Sequence, residues 1–140
     1  PKALGNIWST VNGFNESPLT GRNPLVMILV IYALSVFLSL TLANLTIHQT
    51  AFLSLIGPGV SEEGSAAQQE YEGLMETYGD RFRTFGHGAV HGVFYALFFV
   101  LPILGLLTYI EKRGWKYLLI HFGFFTATIT LMCGVLCQWV

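Results

Sequence analysis

Three stretches of this chain, residues 23–61, 84–110 and 117–140, contain no Asp, Glu, Lys or Arg. No other feature limits its possible folds so strongly. An ionised side chain at the centre of a bilayer costs at least ~2.5–3.5 kcal/mol, so a chain that crosses lipid gathers its charges between its spans. The seven basic and eight acidic residues all fall in residues 1–22, 62–83 and 111–116. Charged residues make up 11% of the 140, against roughly 25% in soluble domains.

About 20 apolar residues cross the hydrocarbon as a helix. Leu25–Leu45, Gly86–Ile110 and Tyr117–Val140 are each long enough. The expected fold is therefore all-α: a polytopic transmembrane helical bundle, one domain over residues 1–140, with spans at about 24–45, 86–110 and 117–140. A net charge of −1 gives no basic footprint for nucleic acid, and the expected partner is the lipid bilayer. No short apolar region follows a basic start, so no cleavable signal peptide is expected.

The pieces between the spans carry their own signals. Ala3–Val11 reads as a short interfacial helix with Trp8 at headgroup depth. Asn23–Pro24 opens the first span, because proline at the first helical position lacks an N–H where none is needed. Apolar content continues past Leu45 through Ile47, Ala51, Phe52, Leu55 and Ile56. Asn44, Thr46, His48, Gln49 and Thr50 make that extension polar on one side, so it is expected to emerge into the interface. Gly57–Pro58–Gly59 stops it.

From Ala66 to Phe85, apolar Tyr71, Leu74, Met75, Tyr78, Phe82 and Phe85 recur at helical gaps, with Gly79 as a break point and the acidic helix expected over about 66–80. Glu70, Glu72, Glu76 and Asp80 fill the other side. This predicts an amphipathic, acidic helix lying on the membrane surface or against the bundle. Pro102 is expected to kink the second span. Lys112, Arg113 and Lys116 should set the topology, placing the 111–116 turn in the cytoplasm and the acidic 62–80 segment outside.

His87 and His91 stand four residues apart, on one helix face. Two imidazoles so placed can chelate Zn²⁺ or Cu²⁺. His48 should lie at similar depth and offer a third ligand. The competing reading makes these histidines neutral donors that hydrogen-bond between helices. It draws on Gly88, Gly92 and Ala96, a stripe of small residues that admits a close neighbour. Gly123 and Ala127 form a shorter stripe in the third span. No His-Glu-x-x-His pattern accompanies the histidines.

His121 belongs near the inner end of the third span, most of a bilayer away from His91. Cys133 and Cys137 lie one turn apart, a spacing that suits packing and not a disulfide. The chain shows no nucleophile with a base, no phosphate-binding glycine loop and no paired buried carboxylates. The residues thus leave two functions open. One is a non-enzymatic protein that associates through glycine-rich faces, as a homo-oligomer or as a subunit of a membrane complex. The other is a metal- or small-ligand-binding protein, a transporter or enzyme, that uses His87, His91 and His48.

The run Tyr78–Gly79–Asp80–Arg81–Phe82–Arg83–Thr84–Phe85–Gly86–His87–Gly88–Ala89–Val90–His91–Gly92 resembles the uncharacterised bacterial membrane family called domain of unknown function 1761. So do Leu101–Pro102–Ile103, Glu111–Lys112–Arg113–Gly114–Trp115–Lys116–Tyr117, Ile47–His48–Gln49 and the opening Pro1–Lys2–Ala3–Leu4–Gly5–Asn6–Ile7–Trp8. The likeness covers nearly the whole chain, and the His-Gly-x-x-His-Gly block is its most specific part. It implies a small four-helix inner-membrane protein of Bacteroidetes-type bacteria, with no assigned activity and no catalytic residues to carry over. Members usually bring a further apolar helix before the proline found here as Pro1, so three of four helices are expected in this chain. Members also often have Asn and then Tyr-Trp where this chain has His121 and Phe124–Phe125, which separates His121 from any family-wide role.

Overall fold

The structure, a computed structural model, describes residues 2–13 and 23–140. In chain order it forms α1 (Lys2–Asn12), α2 (Pro24–Thr46), α3 (Thr50–Ile56), a 3₁₀ turn (Pro58–Ser61), α4 (Ala66–Tyr78), α5 (Phe85–Tyr95), a π-helical segment (Ala96–Val100), α6 (Leu101–Ile110) and α7 (Trp115–Trp139). The fold is all-α, and among the described residues three helical stretches are long and apolar enough to cross a membrane. They are Pro24–Thr46, Phe85–Ile110 and Trp115–Trp139, of 23, 26 and 25 residues.

Their ends follow from local chemistry. The Asn23 side chain accepts from the Leu25 amide at 2.9 Å, and Pro24 takes the first helical position. Thr84 caps α5 by accepting from the His87 amide. Along α2 only Leu42 and Thr46 are buried; Leu25, Ile28, Leu34 and Phe37 are among its many uncovered side chains. A helix apolar on every side and left uncovered suits hydrocarbon and not water.

The long helical stretches alternate in direction. The end of α2 meets α5, where the hydroxyl of Tyr95, the last residue of α5, donates to Leu45 O at 2.6 Å. The end of α7 returns to the same place, with Gln138 Oε1 accepting from the Phe85 amide at 3.1 Å. The opposite end gathers the turn after α6 and the helix α1: Arg113 Nη1 donates to Asn12 O at 3.0 Å, and His121 Nε2 lies 3.1 Å from Asn12 Oδ1.

The core is the crossing of α5 on α7. Gly88, Gly92 and Ala96 are buried there, against Ile129, Cys133 and Cys137. A Cβ on Gly92 would sit 2.5 Å from Thr130 Cα, and one on Gly88 would run into the Cys133 carbonyl. On α7 the matching small residue is Gly134, whose missing Cβ leaves room for the Phe85 ring. The small residues Gly123 and Ala127 predict the packing face of α7 in its first half. Within this chain both are exposed, and nothing lies within 4 Å of a Cβ built on Gly123. The close crossing occupies the other half of α7, between Ile129 and Cys137. Cys133 and Cys137 are free thiols packed in it.

Two helix irregularities have physical causes. Pro102 stands at the start of α6, directly after the π segment. Its ring has no N–H and would strike the carbonyl four residues back. The wider turn accommodates this, since Leu101 N–H donates to Ala96 O, five residues earlier. The second irregularity lies at Ile47, whose extended backbone ends α2. The continuation past Leu45 is therefore a separate helix, α3. The Thr50 hydroxyl lies 2.7 Å from Ile47 O and 3.1 Å from Asn44 O, its one hydrogen shared between them, and Ile47 O also accepts from the Thr50 amide at 3.1 Å.

α4 forms over Ala66–Tyr78, its N-terminus capped by Ser65 Oγ accepting from the Gln68 amide at 3.0 Å. Tyr71, Leu74 and Met75 are half-buried, whereas Glu70, Glu72 and Glu76 are exposed. The helix packs on α3 and the 3₁₀ turn. Gln49 fastens this cap to the bundle: its Nε2 donates to Tyr78 O at 2.8 Å and to Arg81 O at 3.0 Å.

Candidate metal centre

The break at Ile47 gives the site its third histidine. In a continuous helix His48 would simply follow the register of α2; here it sits between α2 and α3 and reaches α5. His48 Nε2 lies 3.0 Å from His87 Nε2. His91 Nε2 lies 3.1 Å from the same atom. One ligand nitrogen from each of the three falls within 4.8 Å of the others. A tetrahedral zinc with Zn–N of 2.0–2.1 Å sets its ligand nitrogens about 3.3 Å apart. Two edges of that tetrahedron already exist to within a few tenths of an ångström.

Hydrogen bonding among the imidazoles alone fits this arrangement poorly. A neutral imidazole offers either one hydrogen or one lone pair at Nε2. His87 Nε2 faces two other ring nitrogens at once, and a single hydrogen or lone pair makes only one good bond. A cation at the point where the nitrogens converge satisfies all three lone pairs together.

The surroundings suit one ring to the ligating form. The Tyr95 hydroxyl gives its hydrogen to Leu45 O, a carbonyl in the last turn of α2. Its oxygen lies 3.4 Å from His91 Nδ1. In the Nδ1–H tautomer of His91 that oxygen can accept, and Nε2 then carries a bare lone pair. Metal-bound histidines are held in this way, through a partner on the second ring nitrogen. Sequence reasoning missed Tyr95, although it continues the stripe of His87 and His91 by one further turn. Replacing Tyr95 with Phe should weaken Zn²⁺ binding by about tenfold, the low end for loss of such a partner, as read by competition with a chromophoric chelator.

Phe82 closes one side. Its ring stacks on His87 at 5.0 Å and 18°, and meets His48 edge-on at 6.0 Å. It adopts φ of 64°, in the left-handed region that bulky residues avoid. Such a conformation persists only where the surroundings hold it. Thr84 N–H donates to Phe82 O at 2.9 Å, and the Cys137 thiol lies 3.3 Å from that same oxygen.

The remaining sequence candidates lie apart from this cluster. Lys112, Arg113 and Lys116 are exposed at the far end of the bundle, where the part-buried contact of His121 with Asn12 also lies. Gly88 and Gly92 face α7 and, with the buried Ala96, set the depth of the α5–α7 crossing that carries His87 and His91.

The family model described as "Protein of unknown function (DUF1761)" matches residues 1–137. The chain belongs to that family. The match takes in α1, the first two long apolar stretches, the third as far as Cys137, and every residue of the histidine cluster. No curated protein and no solved structure matches the chain. For this DUF1761 chain, function has to be argued from the cluster itself.

Proposed function

We propose that this chain is an integral-membrane protein that binds one divalent transition metal through His48, His87 and His91, at the end of its bundle remote from Lys112, Arg113 and Lys116. The observation that supports it best is the convergence of three imidazoles at ligand spacing, from two separate elements, with Tyr95 behind one of them. Three histidines with no fourth protein ligand among the described residues leave one coordination position free, the pattern of zinc sites that act on a ligand and not of purely structural ones. Imidazole ligands suit Zn²⁺ and Cu²⁺, whereas Mg²⁺ and Ca²⁺ prefer oxygen. Zinc titration of the detergent-purified, chelator-stripped protein should give one equivalent bound, with Mg²⁺ giving none. Zinc that fails to bind at one equivalent, or Mg²⁺ that competes for it, would overturn the reading.

The membrane assignment rests on three long apolar stretches with uncovered side chains. The expected orientation keeps the basic 111–116 turn in the cytoplasm of a bacterial cell and the metal outside the inner membrane, next to the acidic α4. A second reading, association of copies, draws on the outward-facing Gly123 and Ala127. The Gly88–Gly92–Ala96 stripe does not serve it, because α7 of the same chain already covers that face.

A further inference from the structure

We infer that a groove between α2 and α4 binds one phospholipid whose headgroup carries both a phosphate and a primary ammonium, as ethanolamine lipids do. This goes beyond the metal reading and rests only on the membrane reading. The groove, of about 440 Å³, is lined by Leu40 and Ala43 of α2, Leu53 of α3 and Met75 of α4, and also by Asp80 and Arg83. Its apolar wall continues the uncovered surface of the first span, since Leu40 is 58% exposed and Leu53 48%. Its charged residues belong to the level where the second span begins, because Arg83 directly precedes Thr84, the cap of α5. The lining thus combines lipid-facing side chains with charges of both signs at a membrane boundary.

The two charges share one turn without neutralising each other. The Arg83 amide donates to Asp80 O at 3.3 Å. Among the described residues the one ion pair joins Arg113 to Glu111, so neither Asp80 nor Arg83 is paired. Arg83 is half-buried, and a guanidinium drawn partly out of water without a counter-charge is destabilising. A phosphate supplies that counter-charge and presents its oxygens to the guanidinium fork. A primary ammonium, joined to the phosphate by an ethylene link, only donates and suits a carboxylate, which only accepts. Acyl chains then lie along Leu40, Ala43 and Leu53. A free phosphate would leave that apolar wall uncovered, which selects a lipid over a soluble anion. A choline head has no N–H to give Asp80, and a glycerol head has no cation for it.

Delipidated protein in a non-ionic detergent is titrated with phosphatidylethanolamine, phosphatidylcholine or phosphatidylglycerol, and native mass spectrometry counts the bound lipid. One phosphatidylethanolamine should be retained per chain, about tenfold or more tighter than either of the others, as loss of a charge-assisted hydrogen bond implies. Arg83→Gln should weaken phosphatidylethanolamine binding by about tenfold or more. Asp80→Asn should lower it to the phosphatidylcholine level while leaving phosphatidylcholine binding unchanged, a change of preference that a loosened fold would not produce. The turn is closed by backbone atoms, so both variants keep it. Should either variant fail to fold, the lipid comparison on the parent decides alone. Equal binding of the three lipids, tighter binding of phosphatidylglycerol, an Arg83→Gln protein that binds as the parent does, or a dimer that retains no lipid would each overturn the inference. Protein that stays dissolved without detergent would overturn the membrane reading, and the inference with it.

Discussion

His87→Ala should weaken Zn²⁺ binding by well over 100-fold, the largest loss of any single substitution at the site. The bridging position of its Nε2, 3.0 Å from His48 and 3.1 Å from His91, is the reason. Partners behind a ligand are worth about 10–100-fold, and removing the ligand itself should exceed that. His48 and His91 would then be left as a pair from two elements with the central nitrogen gone. His121→Ala provides the comparison, since His121 contacts Asn12 at the other end of the bundle and should leave zinc affinity unchanged. The fold should survive both changes, because His87 is half-buried and makes no contact in the α5–α7 core. Equal zinc affinity in His87→Ala and the parent would remove His87 from the site.

Gly92→Leu should abolish the native α5–α7 crossing. Its Cβ alone would lie 2.5 Å from Thr130 Cα and 2.9 Å from both Ile129 O and Thr130 N. These are backbone atoms and cannot swing aside. Overpacking a core costs typically about 1–3 kcal/mol and more where backbone must move, and here a whole helix has to retreat. Because α5 also carries His87 and His91, the variant should lose zinc binding together with thermal stability in detergent. Gly123→Leu is the control: Gly123 is open, so the monomer should change by less than about 0.5 kcal/mol. A Gly92→Leu protein that melts with the parent would show that the two helices do not approach so closely.

Much of the architecture was readable before any coordinates, for a reason particular to lipid. Excluding charge from 23–61, 84–110 and 117–140 is a constraint of the solvent and needs no tertiary contact to be seen. The expected starts at residues 24 and 86 fall within one residue of Pro24 and Phe85, because Asn23–Pro24 and Thr84 are local capping signals. The third start was put at Tyr117, and α7 begins two residues earlier at Trp115.

The break at Ile47 was not readable. No glycine or proline marks it, and the segment holds its shape through Thr50 and Gln49, whose bonds reach carbonyls as far off as Tyr78 and Arg81. The sequence suggested that His48 could join His87 and His91. The separation of the three nitrogens depends on that break. Nor did small residues reveal which half of α7 would be covered. Gly123 and Ala127 look as suitable as Cys133, Gly134 and Cys137, and the choice follows from where α5 crosses. The place of Phe82 beside the histidines was hidden for a related reason: a left-handed phenylalanine has no sequence signature of its own.

X-ray absorption at the zinc edge of the metal-loaded protein in detergent is the most direct measurement of the central claim. Three imidazole nitrogens at about 2.0–2.1 Å, with one oxygen ligand completing the shell, is the result expected; the imidazole scattering should fall in His87→Ala. A shell of oxygens alone, or one containing sulfur from Cys133 or Cys137, would contradict a three-histidine centre.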